Sequence, residues 1–236
     1  MNDSGDRPVG IVCLSGGMDS CVTAAIAVKE SIPAFLHVSY GQRTENRERL
    51  AFDRIADFYR IPEQKRLHLR LNHLKIIGGS ALTDPAIPVP KFDEIDEKSP
   101  SDSLPVTYVP FRNAHILSLA VSWAEVIKAD RIYIGAVSED SAGYPDCRSE
   151  YFEAFNRLIV VGSSLGAKLK VMTPLIQMTK SEIVRKGMEL SAPFEFSWSC
   201  YEREDIACAR CDSCLRRLRA FKESGFPDPL PYAADH

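Results

Sequence analysis

Residues 9–20 read VGIVCLSGGMDS, and this stretch decides the fold. The apolar run from Val9 to Leu14 has the form of a buried strand, and Ser15-Gly16-Gly17 ends it in a tight turn. From Met18 to Glu30, apolar residues recur at the spacing of a helix. The stretch therefore predicts a first strand, a glycine turn and a first helix.

The rest of the chain alternates between the same two kinds of element. The predicted strands that follow are residues 34–40, 67–71, 131–135 and 169–172. The predicted helices that follow are residues 44–59, 113–128, 151–165 and 179–190. In helix 44–59 we expect Leu50, Ile55 and Phe58 on one side. Strands that alternate with helices predict an α/β fold with a doubly wound parallel sheet covered on both faces.

Length and composition indicate one domain with a small appendage. We expect the domain over residues 1–190 and a cysteine-rich segment over 191–236, packed on the same domain. Residues 84–105 are rich in Pro, Asp, Glu and Ser, which indicates a mobile surface excursion or an active-site flap. No apolar run is long enough for a membrane span, and residues 1–8 contain no apolar signal-peptide core. We therefore expect a cytoplasmic protein with no membrane partner.

The charge balance argues against a nucleic-acid partner. The net charge is −3 at pH 7, and no basic surface extends over the domain. One local basic run consists of Arg216, Arg217, Arg219 and Lys222. Such a run is more often a solvated helix face than an RNA site, so we predict a solvated face.

The turn at residues 15–20 is suited to binding phosphate. Its glycines let the backbone approach a ligand without a Cβ in the way. The unpaired amides of the following helix favour an anion, and Ser15 and Ser20 add hydroxyl donors. Asp19 fits beside an anion if it holds Mg²⁺, the natural partner of ATP, or caps amides. A plain glycine turn with a Ser or Asp cap is the alternative, but six matched residues between a strand and a helix favour phosphate.

Four of the seven cysteines crowd near the C-terminus, in the pattern Cys200-x7-Cys208-x2-Cys211-x2-Cys214. Two-residue gaps let thiolates converge on one ion, and zinc prefers four such soft ligands in a tetrahedron. Because four protein ligands leave no open position, the zinc would be structural and would staple a C-terminal helical segment to the domain. An iron–sulfur cluster, or a redox pair at Cys211 and Cys214, is the alternative.

Three further segments carry more polar groups than packing requires. The segment TYVPFRN contains Arg112 at a helix start, where the helix dipole disfavours a cation unless an anion is bound; an exposed surface arginine is the alternative. The segment GYPDCR, residues 143–148, places an acid, a thiol and a base in a row, or simply forms a turn that caps the next helix. Thr179 and Glu182 fit a capping box, which leaves Lys180 to reach a phosphate.

Together these segments closely resemble the QueC family of 7-cyano-7-deazaguanine synthases, which are N-type ATP pyrophosphatases. The resemblance extends from about Val9 to Asp228, through SGGMDS, SYGQR, TYVPFRN, DSAGYPDCR, PLIQMTKSEI, WSCY and the cysteine spacing. It implies a Rossmann-like fold of the adenine nucleotide alpha hydrolase type and a homodimer. It also implies that 7-carboxy-7-deazaguanine and ammonia become the nitrile through two adenylations, each of which releases pyrophosphate and AMP.

The resemblance also implies roles for particular residues. The expected catalytic residues are Asp19, Arg112 and Lys180. The expected residues for ATP and its pyrophosphate are Leu14, Ser15, Gly16, Gly17, Met18, Asp19, Ser20 and Arg43. The expected substrate-binding residues are Tyr144, Asp146 and Arg148, and the expected zinc ligands are Cys200, Cys208, Cys211 and Cys214. Asp146 is expected to pair with the guanine-like N–H edge, and Cys147 is assigned to packing or substrate contact.

Two positions depart from the family pattern. Phe111 stands where the family usually has glycine, which adds bulk beside Arg112, and residues 138–142 lack the aromatic that often follows the aspartate. These departures leave open a paralogue that stops at the amide, or one that joins the deazaguanine acid to a macromolecule, as in some defence-associated relatives. The motifs also leave room for a tRNA-thiolating pyrophosphatase, an ammonia ligase of another pathway or a non-catalytic zinc module.

Overall fold

The computed structural model of the chain describes residues 7–90, 104–138 and 144–233. Within these ranges, five parallel strands form one sheet in the order β3-β2-β1-β4-β5. The strands are β1 (Val9–Cys13), β2 (Ile32–Ser39), β3 (Arg66–Arg70), β4 (Arg131–Ile134) and β5 (Lys170–Met172). The predicted parallel sheet is confirmed. No helix in the described ranges is both long and apolar enough to cross a membrane.

Helices cover both faces of the sheet. They are α1 (Met18–Glu30), α2 (Glu45–Phe58), α3 (Asn72–Ile77), α4 (Arg112–Ile127), α5 (Ser149–Gly162), α6 (Lys180–Glu189) and α7 (Asp212–Ser224). One face packs against α4 and α5, and the other packs against α1, α2, α6 and α7. Successive strand residues point to opposite faces, so Ile11 joins the first layer and Val12 the second. Burial on both faces explains why the run from Val9 to Leu14 is apolar throughout.

The chain changes direction beside β1. From β1 it moves outward to β2 and β3, and then returns across the sheet to β4 on the other side of β1. In open α/β sheets, ligands bind at the carboxyl ends of the strands where the order reverses in this way. The loop that follows β1 therefore lies where the topology opens a crevice.

Two local predictions need correction. Strand β2 begins at Ile32 and includes Pro33, because β3 pairs with β2 only from Phe35 onward and the edge beside Pro33 needs no ladder hydrogen bond. In α2, Leu50 is 40% exposed and Phe58 is 47% exposed, whereas Ile55 is buried. The buried stripe of α2 consists instead of Ala51, Phe52, Ile55 and Ala56.

Helix α7 packs within the same core as α1. Its Ala220 and Phe221 lie in one apolar cluster with residues of α1, and the ring of Phe221 meets that of Phe194 edge-on at 5.2 Å. Of the predicted excursion at 84–105, residues 91–103 lie outside the described part of the chain. Residues 139–143, which include part of the departure from the family pattern, also lie outside it.

Candidate active site

A cavity of about 300 Å³ opens at the carboxyl ends of β1, β2 and β4. Its described lining includes the turn after β1, the segment after β2, the start of α4, the end of β4, the segment around Tyr144, the start of α6 and the cysteine-rich segment. Of the residues predicted to act, Leu14, Ser15, Gly17, Met18, Asp19, Ser20, Arg43, Arg112, Tyr144 and Lys180 line this cavity. The fold therefore brings most of the predicted site residues together around one cavity.

The turn after β1 is preorganised by its own hydroxyl groups. Ser15 Oγ accepts a hydrogen bond from the amide of Gly17 at 3.2 Å and lies 3.0 Å from Ser20 Oγ. The Ser20 hydroxyl also donates to the carbonyl of Gly17 at 3.0 Å. In the described part of the chain, α1 begins without a side-chain cap. Its first amides are therefore available to an anion, as a phosphate cradle requires.

Gly16 is required by close packing behind the turn. Its φ is +93°, a region that glycine tolerates best, and a Cβ there would lie 2.8 Å from the carbonyl oxygen of Glu48. The carbonyl of Gly16 accepts a hydrogen bond from the amide of Trp198 at 2.8 Å. The turn is thus fastened to α2 on one side and to the cysteine-rich segment on the other.

Asp19 and Lys180 meet across the cavity. Lys180 Nζ lies 2.9 Å from Asp19 Oδ2, and both side chains are partly buried. Asp19 Oδ1 is buried and has no hydrogen-bond partner among the described residues. An orphaned carboxylate oxygen beside a phosphate turn is a ready ligand for a hard cation such as Mg²⁺. The predicted capping box of Thr179 and Glu182 is confirmed, and it fixes the helix start that carries Lys180.

Arg112 faces the same cavity from the start of α4. Its Nη1 donates to the Tyr40 hydroxyl at 3.1 Å, and its guanidinium carbon lies 5.7 Å from the centre of the Tyr40 ring. Burial acts to lower the pKa of Arg112, but the Tyr40, Asp146 and Cys147 groups outweigh it and raise the pKa. The side chain is therefore a fixed cation that can neutralise an anionic ligand.

The GYPDCR residues divide into a cavity part and a structural part. Tyr144 lines the cavity and its hydroxyl lies 2.7 Å from Thr107 Oγ1. Asp146 is 4% exposed, and its Oδ2 accepts from the amide of Asn113 at 3.1 Å. Asp146 thus serves the first turn of α4, where a negative charge is favoured. Neither Asp146 nor the exposed Arg148 is among the described residues that line the cavity.

Arg43 lines the cavity but holds a neighbouring segment. Its Nε donates to the carbonyl of Ala81 at 2.7 Å, and its Nη2 donates to the carbonyls of Asp84 and Ile87 at 3.1 and 2.7 Å. These three carbonyls use much of the donor capacity of one guanidinium. Arg43 therefore ties residues 81–87 to the segment after β2.

Phe111 adds no bulk to the cavity. The side chain is 59% exposed, is not among the described lining residues, and meets the ring of Tyr151 edge-on at 6.5 Å. Its backbone has φ of +56° at the N-cap of α4. A left-handed backbone favours glycine, which is the residue expected here from the family pattern. The departure at Phe111 therefore affects the backbone rather than the pocket.

One cavity residue, Glu48 of α2, was not predicted. Gln42 Nε2 donates to Glu48 Oε2 and Thr44 Oγ1 donates to Glu48 Oε1, each at 2.9 Å. Burial raises the pKa of Glu48, while these two hydrogen bonds act in the opposite direction. No local pattern in the sequence singled it out, because an acid in a charged helix is common and its partners come from the preceding segment.

The four clustered cysteines converge as predicted. Their sulfur atoms lie within 4.8 Å of one another and all four residues are buried. The amides of Glu202, Arg203 and Cys208 donate to Cys200 Sγ. Hydrogen bonds from the thiols of Cys211 and Cys214, with those from the amides, lower the pKa of Cys200, and the same contact with Cys200 raises the pKa of Cys211 and of Cys214. Thiolates held by amides at this spacing could bind a metal such as zinc.

The prediction of a solvated basic face is wrong for Arg217. This side chain is 1% exposed, and its Nε and Nη2 donate to the carboxylate of Asp228 at 2.8 and 2.9 Å. Its Nη1 donates to Ser197 Oγ at 2.7 Å. Arg216, Arg219 and Lys222 are exposed. The difference arises because α7 turns only Arg217 toward the turn at Phe194–Phe196 and the chain beyond the helix.

Comparisons with known proteins agree on one family. The family model that matches is QueC, described as queuosine biosynthesis protein QueC, and it covers residues 9–225. A protein from Chloroherpeton thalassium named 7-cyano-7-deazaguanine synthase is 55% identical over 223 residues, which are 94% of this chain and 96% of that protein. A protein of the same name from Chlorobium phaeobacteroides is 56% identical, also over 94% of this chain and 96% of its own length.

Solved structures match less closely. The NMN synthetase from Francisella tularensis covers 94% of this chain and 79% of its own, with a TM-score of 0.46 and 13% identity. A TM-score below 0.5 carries no argument about function, so the assignment rests on the sequence relatives.

Proposed function

The chain belongs to the QueC family of queuosine biosynthesis proteins, and on this premise we propose that it converts 7-carboxy-7-deazaguanine and ammonia to 7-cyano-7-deazaguanine with ATP. The observation that carries this proposal is the single cavity that joins the SGGMDS turn to Arg112 and Tyr144. The cavity combines a turn suited to phosphate with the positive charge of Arg112. This combination suits the activation of a carboxylate by ATP.

The chemistry requires two activations. A carboxylate is a poor electrophile for ammonia, so its oxygen first attacks the α-phosphate of ATP and releases pyrophosphate. Ammonia then displaces AMP from the acyl adenylate, loses a proton and leaves the primary amide. The amide oxygen attacks the α-phosphate of a second ATP and releases pyrophosphate. Departure of AMP with loss of the two remaining nitrogen-bound protons then leaves the nitrile. The protein's contribution is positioning and charge neutralisation.

The phosphate end of the cavity suits pyrophosphate and Mg²⁺. We assign the β- and γ-phosphates to the first amides of α1, with Ser15 and Ser20 as hydroxyl donors. Lys180 places a cation at the same point, already oriented by Asp19 at 2.9 Å. The unpartnered Asp19 Oδ1 fits Mg²⁺. When bound, Mg²⁺ would neutralise charge on the phosphates.

At the substrate end, Arg112 is the cation that would meet the carboxylate or the α-phosphate. Its bond to the Tyr40 hydroxyl fixes its direction. Tyr144 offers a ring and a hydroxyl oriented by Thr107. We propose that Arg43 positions residues 81–87 instead of binding phosphate, because its guanidinium already serves three carbonyls.

We propose that the cysteine cluster binds a structural zinc ion. Four buried sulfurs leave no open coordination position, and the amides around Cys200 and Cys208 suit thiolate ligands. The same segment forms one wall of the cavity through Trp198, Ser199, Cys200 and Tyr201. Zinc there would hold that wall in place. A homodimer and a cytoplasmic location stay predictions.

The deciding experiment is incubation with 7-carboxy-7-deazaguanine, ammonia, ATP and Mg²⁺, followed by mass analysis of the product. We expect the nitrile and two AMP per nitrile. Accumulation of the amide with one AMP would instead favour a paralogue that stops at that stage, and conversion only with an added macromolecule would favour a conjugating enzyme. Intact ATP with zinc bound would contradict the proposal altogether.

A further inference from the structure

Three described carboxylates line the cavity, and they differ in their partners. Asp19 pairs with Lys180 at 2.9 Å. Asp212 lies at the start of α7 and pairs with Arg216 at 2.8 Å, toward the surface. Glu48 is hydrogen-bonded by the neutral side chains of Gln42 and Thr44. The hydrogen bonds that orient Glu48 therefore come from neutral groups, while the positive charge of Arg112 acts to lower the pKa of Glu48.

The two partners of Glu48 leave it further accepting capacity. A carboxylate has about four acceptor positions, and one is used on each oxygen, by Thr44 on Oε1 and by Gln42 on Oε2. Burial makes this charge expensive to leave unpaired, as the raised pKa of Glu48 indicates. Two parallel hydrogen-bond donors from a ligand would occupy acceptor positions that remain free on the Glu48 carboxylate.

We propose that Glu48 is the specificity-determining residue that accepts the ring N–H and the 2-amino group of the deazaguanine substrate. This inference rests on the proposed function, which supplies a ligand with two adjacent N–H donors on one edge. Parallel donors match a carboxylate in a bidentate arrangement. Asp146, the acid expected for this role from the sequence, already accepts from the amide of Asn113 and lies behind the cavity wall. Tyr40, Leu82 and Tyr144 line the same cavity and offer surfaces for the faces of a ring.

The test compares two ligands by titration calorimetry on the full-length protein. One is 7-carboxy-7-deazaguanine, and the other is the analogue in which hydrogen replaces the 2-amino group. The wild-type protein should bind the first about 30-fold or more tightly than the second, because a carboxylate in the cavity wall that loses its donor on binding is penalised. Glu48→Gln should reduce this ratio to about 5-fold or less, since an amide cannot accept both bonds. Glu189→Gln is the matched control, because it makes the same chemical change at an exposed residue that does not line the cavity, and it should keep the wild-type ratio.

The outcomes separate this inference from the function on which it rests. A wild-type protein that binds neither compound would overturn the proposed function and this inference with it. Wild-type discrimination that Glu48→Gln retains in full would overturn the role of Glu48 alone. ATP affinity that falls in Glu48→Gln with an unchanged ligand ratio would overturn it too, and would place Glu48 with the nucleotide. If Glu48→Gln fails to fold in a thermal melt, Glu48→Asp replaces it, and a ratio equal to that of the wild type would again overturn the role.

Discussion

Lys180 Nζ and Asp19 Oδ2 lie 2.9 Å apart, which joins the first residue of α6 to the turn that follows β1. Each group orients the other, so Lys180 would need little reorganisation to meet a phosphate group bound beside the pair. This pair gives the first prediction. Asp19→Asn should lower the rate of AMP release by about 100-fold or more, because the carboxylate charge for both Lys180 and Mg²⁺ is lost.

The measurement for Asp19→Asn is AMP release by chromatography, with metal content of the same samples by atomic spectroscopy. Metal content should not change, since the cluster of four cysteine sulfurs does not include Asp19. A variant that loses its metal together with activity would show a folding defect instead of a catalytic one.

Phe111 gives a prediction about stability. Its left-handed backbone strains any residue with a Cβ by about 1–2 kcal/mol, and 59% exposure means that little apolar contact is lost on its removal. Phe111→Gly should therefore raise the free energy of unfolding by about 0.5 kcal/mol after the entropy of glycine is subtracted. Phe58→Gly makes the same chemical change at the end of α2 and should lower it by about 1 kcal/mol. Denaturant unfolding measures whether each variant has a higher or a lower free energy of unfolding than the wild type. An increase in both variants, or in neither, would contradict backbone strain at Phe111.

Asp146 and Arg148 allow a paired comparison. Asp146→Ala removes a buried acceptor from the first turn of α4, and it should lower the free energy of unfolding by about 2 kcal/mol. Arg148→Ala removes an exposed side chain and should change it by about 0.5 kcal/mol or less. Chemical denaturation of both variants is the measurement. Equal stability of the two variants would mean that Asp146 does not support α4. It would favour the substrate-binding role that the sequence predicts for Asp146.

The adjacent arginines of α7 should behave differently. Arg217→Met strands the buried carboxylate of Asp228 and should cost about 3–5 kcal/mol of stability. Arg216→Met breaks an exposed pair with Asp212 and should cost at most about 1 kcal/mol. Thermal melts of the two variants provide the comparison. An equally small loss in both would show that the Arg217–Asp228 pair is not needed to hold the C-terminal segment.

His37 predicts a component of acid sensitivity. Burial is the main cause that lowers its pKa from 6.5 to about 4, although its Nδ1 lies 3.0 Å from the carbonyl of Leu14. Between these two pH values the unfolded chain binds the proton and the folded chain does not. Stability from this group is therefore present above pH 6.5 and is lost as the pH falls toward 4, by up to about 3 kcal/mol.

The corresponding measurement is the free energy of unfolding of wild type and His37→Gln across that range. The variant should show a shallower decline than the wild type between pH 6.5 and 4. Equal slopes in wild type and His37→Gln would contradict the assignment.

Local sequence patterns predicted the structural features that depend on residues close together in the chain. The strand–turn–helix at residues 9–30, the alternation of the sheet and the capping box of Thr179 and Glu182 all follow from spacing and propensity, and the structure confirms them. The convergence of four cysteines also follows from spacing, because two-residue gaps limit where the thiolates can point.

What escaped prediction depends on partners brought in by the fold. Arg217 resembles its exposed neighbours in sequence, and only Asp228 beyond the helix makes it a buried ion pair. Glu48 is one acid among many in α2 until Gln42 and Thr44 turn it toward the cavity. Phe111 differs from the family glycine by its side chain, yet its consequence lies in a backbone angle that no periodicity reveals.

The hydrogen bond from the Trp198 amide to the Gly16 carbonyl joins the turn after β1 to a segment far along the chain. A contact between residues so distant in sequence forms only after the intervening chain has closed, which costs loop-closure entropy. The turn therefore reaches its final geometry only when the segment around Trp198 has docked, and loosening of that segment would also loosen the turn.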